Sequence, residues 1–203
     1  MTQRCRVIVL AKAPVAGYAK TRLISALGAG GAAALAARLL DHAVQEARAA
    51  GLGAVEVCCA PDAGHPAWRQ LAPVALLTEQ GEGDLGQRMA RAFERAFAAG
   101  ERRVLLIGTD APALDAGVLR RAAQHLAASD AVFVPALDGG YALVGLRQNA
   151  PALFDRMVWS CASVMRATRQ RLAAAGLRYV ELPPLADIDE PADLRHLPAG
   201  WRP

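Results

Sequence analysis

Short runs of β-branched and other apolar residues alternate along this chain with longer, alanine-rich stretches whose apolar positions recur at helical spacing. The runs at 5–11, 55–60, 73–77, 104–108, 131–136, 141–146 and 178–182 read as strands. The first helical pattern, 32–50, carries Leu35, Leu39, Ala43 and Ala47 on one stripe and stops at Gly51. The second, 84–99, opens with Asp84 and Gln87 spaced as a capping box, has Leu85, Met89 and Phe93 on its stripe, and ends at Gly100. Helices are also expected at 114–128 and at about 161–175, with a short helical turn at 191–197.

Strand and helix alternating in this order imply a three-layer α/β/α fold, with a mostly parallel sheet covered on both faces. One connection departs from the rule. Segments 131–136 and 141–146 are joined only by a tight turn through Asp138, Gly139 and Gly140, so they pair as a hairpin or splay from a sharp corner. The sheet is therefore mixed. No repeat or linker interrupts the pattern, and residues 1–203 read as one domain.

Composition narrows the class. With 54% hydrophobic and 21% charged residues, a chain of 203 residues can bury a sizeable core without disulfides. Cys5, Cys58, Cys59 and Cys161 show no CxxC spacing and read as buried free thiols. His42, His65, His125 and His196 stand alone and read as surface or capping residues. The apolar run 7–11 after Arg4 and Arg6 is stopped by Lys12, too soon for a secretory signal. No apolar stretch reads as a membrane span, so a cytoplasmic protein with no membrane partner is expected.

The net charge of +4 is no sign of nucleic-acid binding, because the arginines are scattered among glutamates and alanines. A small anionic substrate fits the same bias. Of 23 lysines and arginines only Lys12 and Lys20 are lysines, and both fall in one loop beside Arg22. That points to a use for compact ammonium charges there.

Ligands of open α/β sheets collect at the carboxyl ends of strands. After the first strand, Lys12, Lys20 and Arg22 could wrap a polyphosphate with backbone amides, or form a solvated basic loop. The GxxxxGK[ST] spacing of a Walker loop is absent. After the third strand, Asp84 reads as a helix cap, while Arg88 either reaches a ligand or decorates the helix. After the fourth, Asp110 is placed at the ligand edge, where a carboxylate can hold Mg2+ or Mn2+ with substrate phosphates completing the shell. Its alternative role is to cap the helix following Pro112.

Asp138 either makes its Asp-Gly turn or serves as general base toward an acceptor admitted by the glycines, or does both. In the segment Asp187-Ile188-Asp189, alternation puts the two carboxylates on one side. Asp189 could be a second metal ligand, the N-cap of the last helix, or both. Trp159 reads as core or lid packing, with acceptor contact as the alternative.

Taken together, AKAPVAGYAKTRL, GTDAP, PALDGGYALVGL and DIDEPADL resemble the GT-A-fold nucleotide-diphospho-sugar transferase superfamily over nearly the whole chain. More narrowly, they resemble a small bacterial transferase family associated with radical-SAM/selenodomain proteins and arsenosugar biosynthesis. The resemblance implies that Lys12, Gly17, Lys20 and Arg22 contact nucleotide phosphates. It makes Asp110 the principal ligand of Mg2+ or Mn2+, with Asp189 second, and turns Asp138, Gly139, Gly140 and Tyr141 toward the acceptor. In two respects the sequence departs from the pattern: the loop after the first strand is not glycine-rich, and Thr109 precedes Asp110 where many such glycosyltransferases carry a DxD pair.

The expected function is metal-dependent transfer of a sugar from a nucleotide-sugar to a small-molecule acceptor. One alternative is nucleotidyl transfer, joining an NTP to a phosphorylated small molecule with release of pyrophosphate. Another is a nucleotide-binding module without catalysis. Base, sugar, acceptor and oligomeric state are not legible.

Overall fold

A computed structural model describes residues 4–201. Its seven strands are β1 (Arg6–Lys12), β2 (Val55–Ala60), β3 (Leu76–Glu79), β4 (Val104–Ile107), β5 (Ala131–Pro135), β6 (Tyr141–Leu146) and β7 (Tyr179–Glu181). They form one sheet in the order β3-β2-β1-β4-β6-β5-β7. Only β6 runs antiparallel to its neighbours, pairing with β4 and with β5. The hairpin expected between β5 and β6 therefore forms, with a register shift at Val134/Pro135.

Alternation along each strand sends side chains to two apolar layers. Val7, Val9, Leu105, Ile107, Val132 and Val134 face α1 (Ile24–Ala49) and α3 (Ala116–His125). Ile8, Leu106, Phe133 and Val144 face α2 (Leu85–Ala98) and α4 (Val164–Ala174). The helix-sheet-helix layering follows directly from strands apolar on both sides.

Three expectations need correction. The third strand begins at Leu76, because residues 71–75 fold back in turns closed by Val74 and Ala75 donating to the Leu71 carbonyl. The first helix begins at Ile24, well before 32, because the chain passes through Gly28 at φ 71°, ψ 165° and resumes its helix. Only glycine adopts that conformation freely. Third, the helical stretch Thr21–Ala49 is long and apolar enough to cross a membrane by length and composition, with mean hydropathy 1.6 over 18 residues. The many alanines keep that mean high, while the bulky Leu35, Leu39, Leu40 and Val44 are buried within the protein.

A smaller apolar cluster shapes the ligand edge. Leu23, Ala32, Leu35 and Leu39 pack with Ile188 and Leu197, tying the end of the first loop and the start of α1 to the C-terminal segment.

Candidate active site

The carboxyl ends of β1 and β4 lie side by side at the point where the strand order reverses, with β2 on the far side of β1. Such a switch point leaves a crevice. Here it is a cleft of about 500 Å3, lined by the loop after β1, by Gly108–Ala111 and by the β5–β6 turn. Further lining comes from Trp159 and Cys161 ahead of α4 and from Asp187 and Asp189.

Asp110 is at this edge but does not cap α3. That role belongs to Asp115, whose carboxylate accepts from the Val118 N–H at 2.7 Å. Likewise Asp189 does not cap the last helical turn, Pro191–His196, where Glu190 and Asp193 form the reciprocal box. Both carboxylates are thus spared for the cleft. They meet at Lys20: its ammonium lies 2.7 Å from Asp110 Oδ1 and 2.8 Å from Asp189 Oδ1, and donates to the Ile188 carbonyl at 2.5 Å. The Ile188 N–H in turn donates to the Asp110 carbonyl at 2.8 Å.

Ile188 explains how its neighbours are aimed. It is fully buried in the small apolar cluster, so the alternating Asp187 and Asp189 turn to the cleft. Burial draws the Lys20 pKa down, but the attraction of Asp110 and Asp189 and their hydrogen bonds outweigh it, and the net shift is upward. For Asp187, burial and then the nearby charge of Asp138 raise the carboxyl to about 6.

The donor set suits a hard divalent cation. Two carboxylates converge on one cationic atom, and neither Asp110 Oδ2 nor Asp189 Oδ2 has a partner among the described residues. No three His, Cys, Asp or Glu side chains group as ligands among those residues, so water or substrate oxygens would have to complete the shell.

The remaining expected residues divide. Lys12, at the end of β1, lines the cleft with no ion-pair partner among the described residues; Arg22 also lines it, 3.6 Å from Glu190, with both side chains exposed. Gly17 shapes the loop at φ 79° without lining the cleft. Arg88 does not line it either. Its guanidinium folds back to the Gly83 carbonyl at 2.9 Å and toward the Gln80 side chain at 3.4 Å.

At the β5–β6 turn Asp138 makes the expected turn contact, accepting from the Gly140 N–H at 2.8 Å, and its side chain also lines the cleft. Gly140 and Tyr141 line the cleft as well, and burial pushes the Tyr141 phenol far above its usual range. Gly139 has a packing role instead. At φ 94° its Cα faces α4's leading segment so closely that an added Cβ would lie 2.3 Å from the Ala162 carbonyl oxygen.

Two cleft residues, Gln80 and Cys161, carry no site role in the sequence reading, and Trp159 stands there between packing and acceptor contact. Gln80 is buried and its amide donates to the Ala11 and Cys58 carbonyls, pinning the post-β3 loop over β1 and β2. Cys161 is half-exposed rather than buried, and hydrogen bonds with Ser163 hold its thiol below the usual range. Trp159 packs edge-on to Tyr141, with its Nε1 buried and unpartnered. A strand-end rule finds Gln80; nothing local in the sequence marks Cys161.

The model of a family of uncharacterized proteins conserved in bacteria, DUF2064, matches residues 43–161, more than half of the chain. The chain belongs to this family. Among solved structures, this DUF2064 protein is similar to a protein from Desulfovibrio desulfuricans G20 provisionally named a nucleotide-diphospho-sugar transferase. The two share 30% identity over 93% of this chain and 83% of that one, at a TM-score of 0.85.

More distant likenesses concern the fold alone. One is CMP:2-keto-3-deoxy-manno-octonic acid synthetase complexed with CTP, at 13% identity, 96% of both chains and TM-score 0.58. Another is Rv0371c of Mycobacterium tuberculosis H37Rv in complex with manganese, at 16% identity, 97% and 98% coverage and TM-score 0.52. The mixed, mostly parallel sheet with helices is thus the fold of nucleotide-diphospho-sugar transferases. Among curated proteins, none matches this sequence.

Proposed function

We propose that this protein is a metal-dependent transferase using a nucleotide-activated donor, and that it moves a sugar from a nucleotide-sugar to a small acceptor. The observation that carries the choice is how charge is divided in the cleft. The cations lining it, Lys12, Lys20 and Arg22, all fall from the last residue of β1 to the start of α1, beside Asp110 and Asp189. On the β5–β6 side the charged lining residues are Asp138 and Asp187. A diphosphate is favoured on the first side. A phosphorylated acceptor, which nucleotidyl transfer requires, would bring its negative charge against two carboxylates on the second.

In this reading Lys12 and Arg22 hold the donor's diphosphate, and Asp110 and Asp189 hold Mg2+ or Mn2+. The metal, when bound, would offset negative charge on the departing diphosphate. Asp138 takes the proton of the acceptor hydroxyl as its oxygen bonds to the sugar. The similarity to the Desulfovibrio protein and the manganese in Rv0371c support donor and metal class.

A product assay tests the choice. With Mn2+, a nucleotide-sugar and a panel of hydroxyl acceptors should release free nucleoside diphosphate. Pyrophosphate release from an NTP in the presence of a phosphorylated acceptor would overturn sugar transfer in favour of nucleotidyl transfer.

A further inference from the structure

We propose that Lys20 makes divalent-cation binding and diphosphate binding mutually dependent, by acting as the counter-cation of Asp110 and Asp189 until both ligands arrive. The inference rests on the donor-site reading above and goes beyond it. An ammonium has three N–H groups. Those of Lys20 are taken up by Asp110 Oδ1, Asp189 Oδ1 and the Ile188 carbonyl, at 2.7, 2.8 and 2.5 Å. None is left for a phosphate.

Burial makes this arrangement costly to disturb in halves. The Lys20 side chain is only 8% exposed, whereas Asp110 and Asp189 are 41% and 42% exposed. A diphosphate entering alone finds Lys20 engaged and two carboxylates facing it. If the carboxylates alone were given over to a divalent cation, a buried ammonium would be stranded beside like charge. When both ligands are present the partners exchange: the carboxylates take the cation, and the ammonium turns to a phosphate oxygen. No charge is then left unpaired.

Two further features assign the coupling to Lys20 rather than to the loop as a whole. Lys12 has no ion-pair partner among the described residues, and Arg22 is held only at an exposed 3.6 Å contact, so either can receive phosphate without such an exchange. The Lys20 backbone is also left-handed, at φ 51° and ψ 41°. A non-glycine residue keeps that conformation only where its surroundings hold it, and the three contacts of the ammonium are such a hold.

The test is a Mn2+ titration followed by electron paramagnetic resonance, without nucleotide and with each of UDP, CDP, GDP and ADP. Protein-free titrations supply the correction for chelation. For the nucleotide that binds, the expected result is Mn2+ affinity raised by about tenfold or more, with an equal effect of Mn2+ on the nucleotide. In Lys20→Met, Mn2+ alone should bind several-fold more tightly than in the parent, and coupling should fall below about threefold.

Independent binding of Mn2+ and nucleotide in the parent, or full coupling in the variant, would overturn the inference and leave the donor reading standing. If no nucleotide binds with or without Mn2+, the donor reading falls and takes this inference with it. Should Lys20→Met not fold, the reciprocal titrations of the parent remain decisive.

Discussion

Lys20 and Asp189 are 169 residues apart in the chain, and their side chains meet at 2.8 Å. This contact, with the companion bond to Asp110, closes the first loop and the C-terminal segment around the carboxyl end of β4. Its support is the apolar cluster behind it, where Ile188 packs with Leu23, Leu35 and Leu39. The site is thus built from three distant stretches and held by a hydrophobic anchor between two carboxylates that line the cleft.

Truncating that anchor should harm both stability and the site. Ile188 is fully buried, so Ile188→Ala is expected to cost about 2–5 kcal/mol and Ile188→Val about 0.5–1.5 kcal/mol. Urea unfolding measures both. The alanine variant should also bind Mn2+ and nucleotide more weakly under conditions where it remains folded, because Asp187 and Asp189 lose their orientation.

Gly139→Ala tests the packing role of the β5–β6 turn. An added Cβ would approach the Ala162 carbonyl oxygen to 2.3 Å and the Ala162 Cα to 2.6 Å, at a backbone φ of 94°. Both steric crowding and the positive φ act in the same direction, so a loss of at least about 2 kcal/mol is expected. Denaturant unfolding reads it. The turn's displacement should lower turnover through the acceptor side, with donor binding largely preserved.

Asp187 predicts a pH dependence. Its folded carboxyl is raised to about 6 by burial and by Asp138, above an unfolded value of about 3.9. The folded state therefore binds the extra proton between these values, and this residue's contribution to stability declines as pH rises from about 4 to about 6. Asp187→Asn should remove that decline and make the metal-free protein more stable than its parent at pH 7.5, with little gain at pH 4. Comparing variant with parent cancels the opposite slopes of Asp130 and Glu181, which bonds to Arg178 and Arg169 hold below the usual carboxylate range. Urea unfolding in EDTA at the two pH values checks it.

Most of the fold was legible because its strands are buried on both faces. β2 and β4 are buried at every position; β4 stands out as an unbroken apolar run, and β2 is interrupted only by Glu56. β3 was misplaced because it is an exposed edge strand, with a weak pattern next to Pro73. Lys12 and Asp110 were visible because each directly ends or follows a strand. The joining of Lys20 to Asp110 and Asp189 was not, since no local pattern records a contact across the whole chain. Arg88 shows the converse: its position on the first turn of α2 fitted a ligand role, but its guanidinium is occupied by its own loop. Gly139 likewise follows a turn signal, but its requirement comes from Ala162, which only the tertiary structure brings near.

The central claim is a metal-dependent site for a nucleotide donor anchored on Asp110. Thermal unfolding tests it most directly, with a panel of nucleoside diphosphates and nucleotide-sugars, each with Mn2+ and with EDTA, for the parent protein and Asp110→Asn. At about 100 times its dissociation constant, at least one ligand with Mn2+ should raise the parent's melting temperature by about 5–10 °C. EDTA or Asp110→Asn should abolish that rise. A parent protein that no nucleotide stabilises, or an Asp110→Asn protein that keeps the full Mn2+-dependent shift, would contradict it.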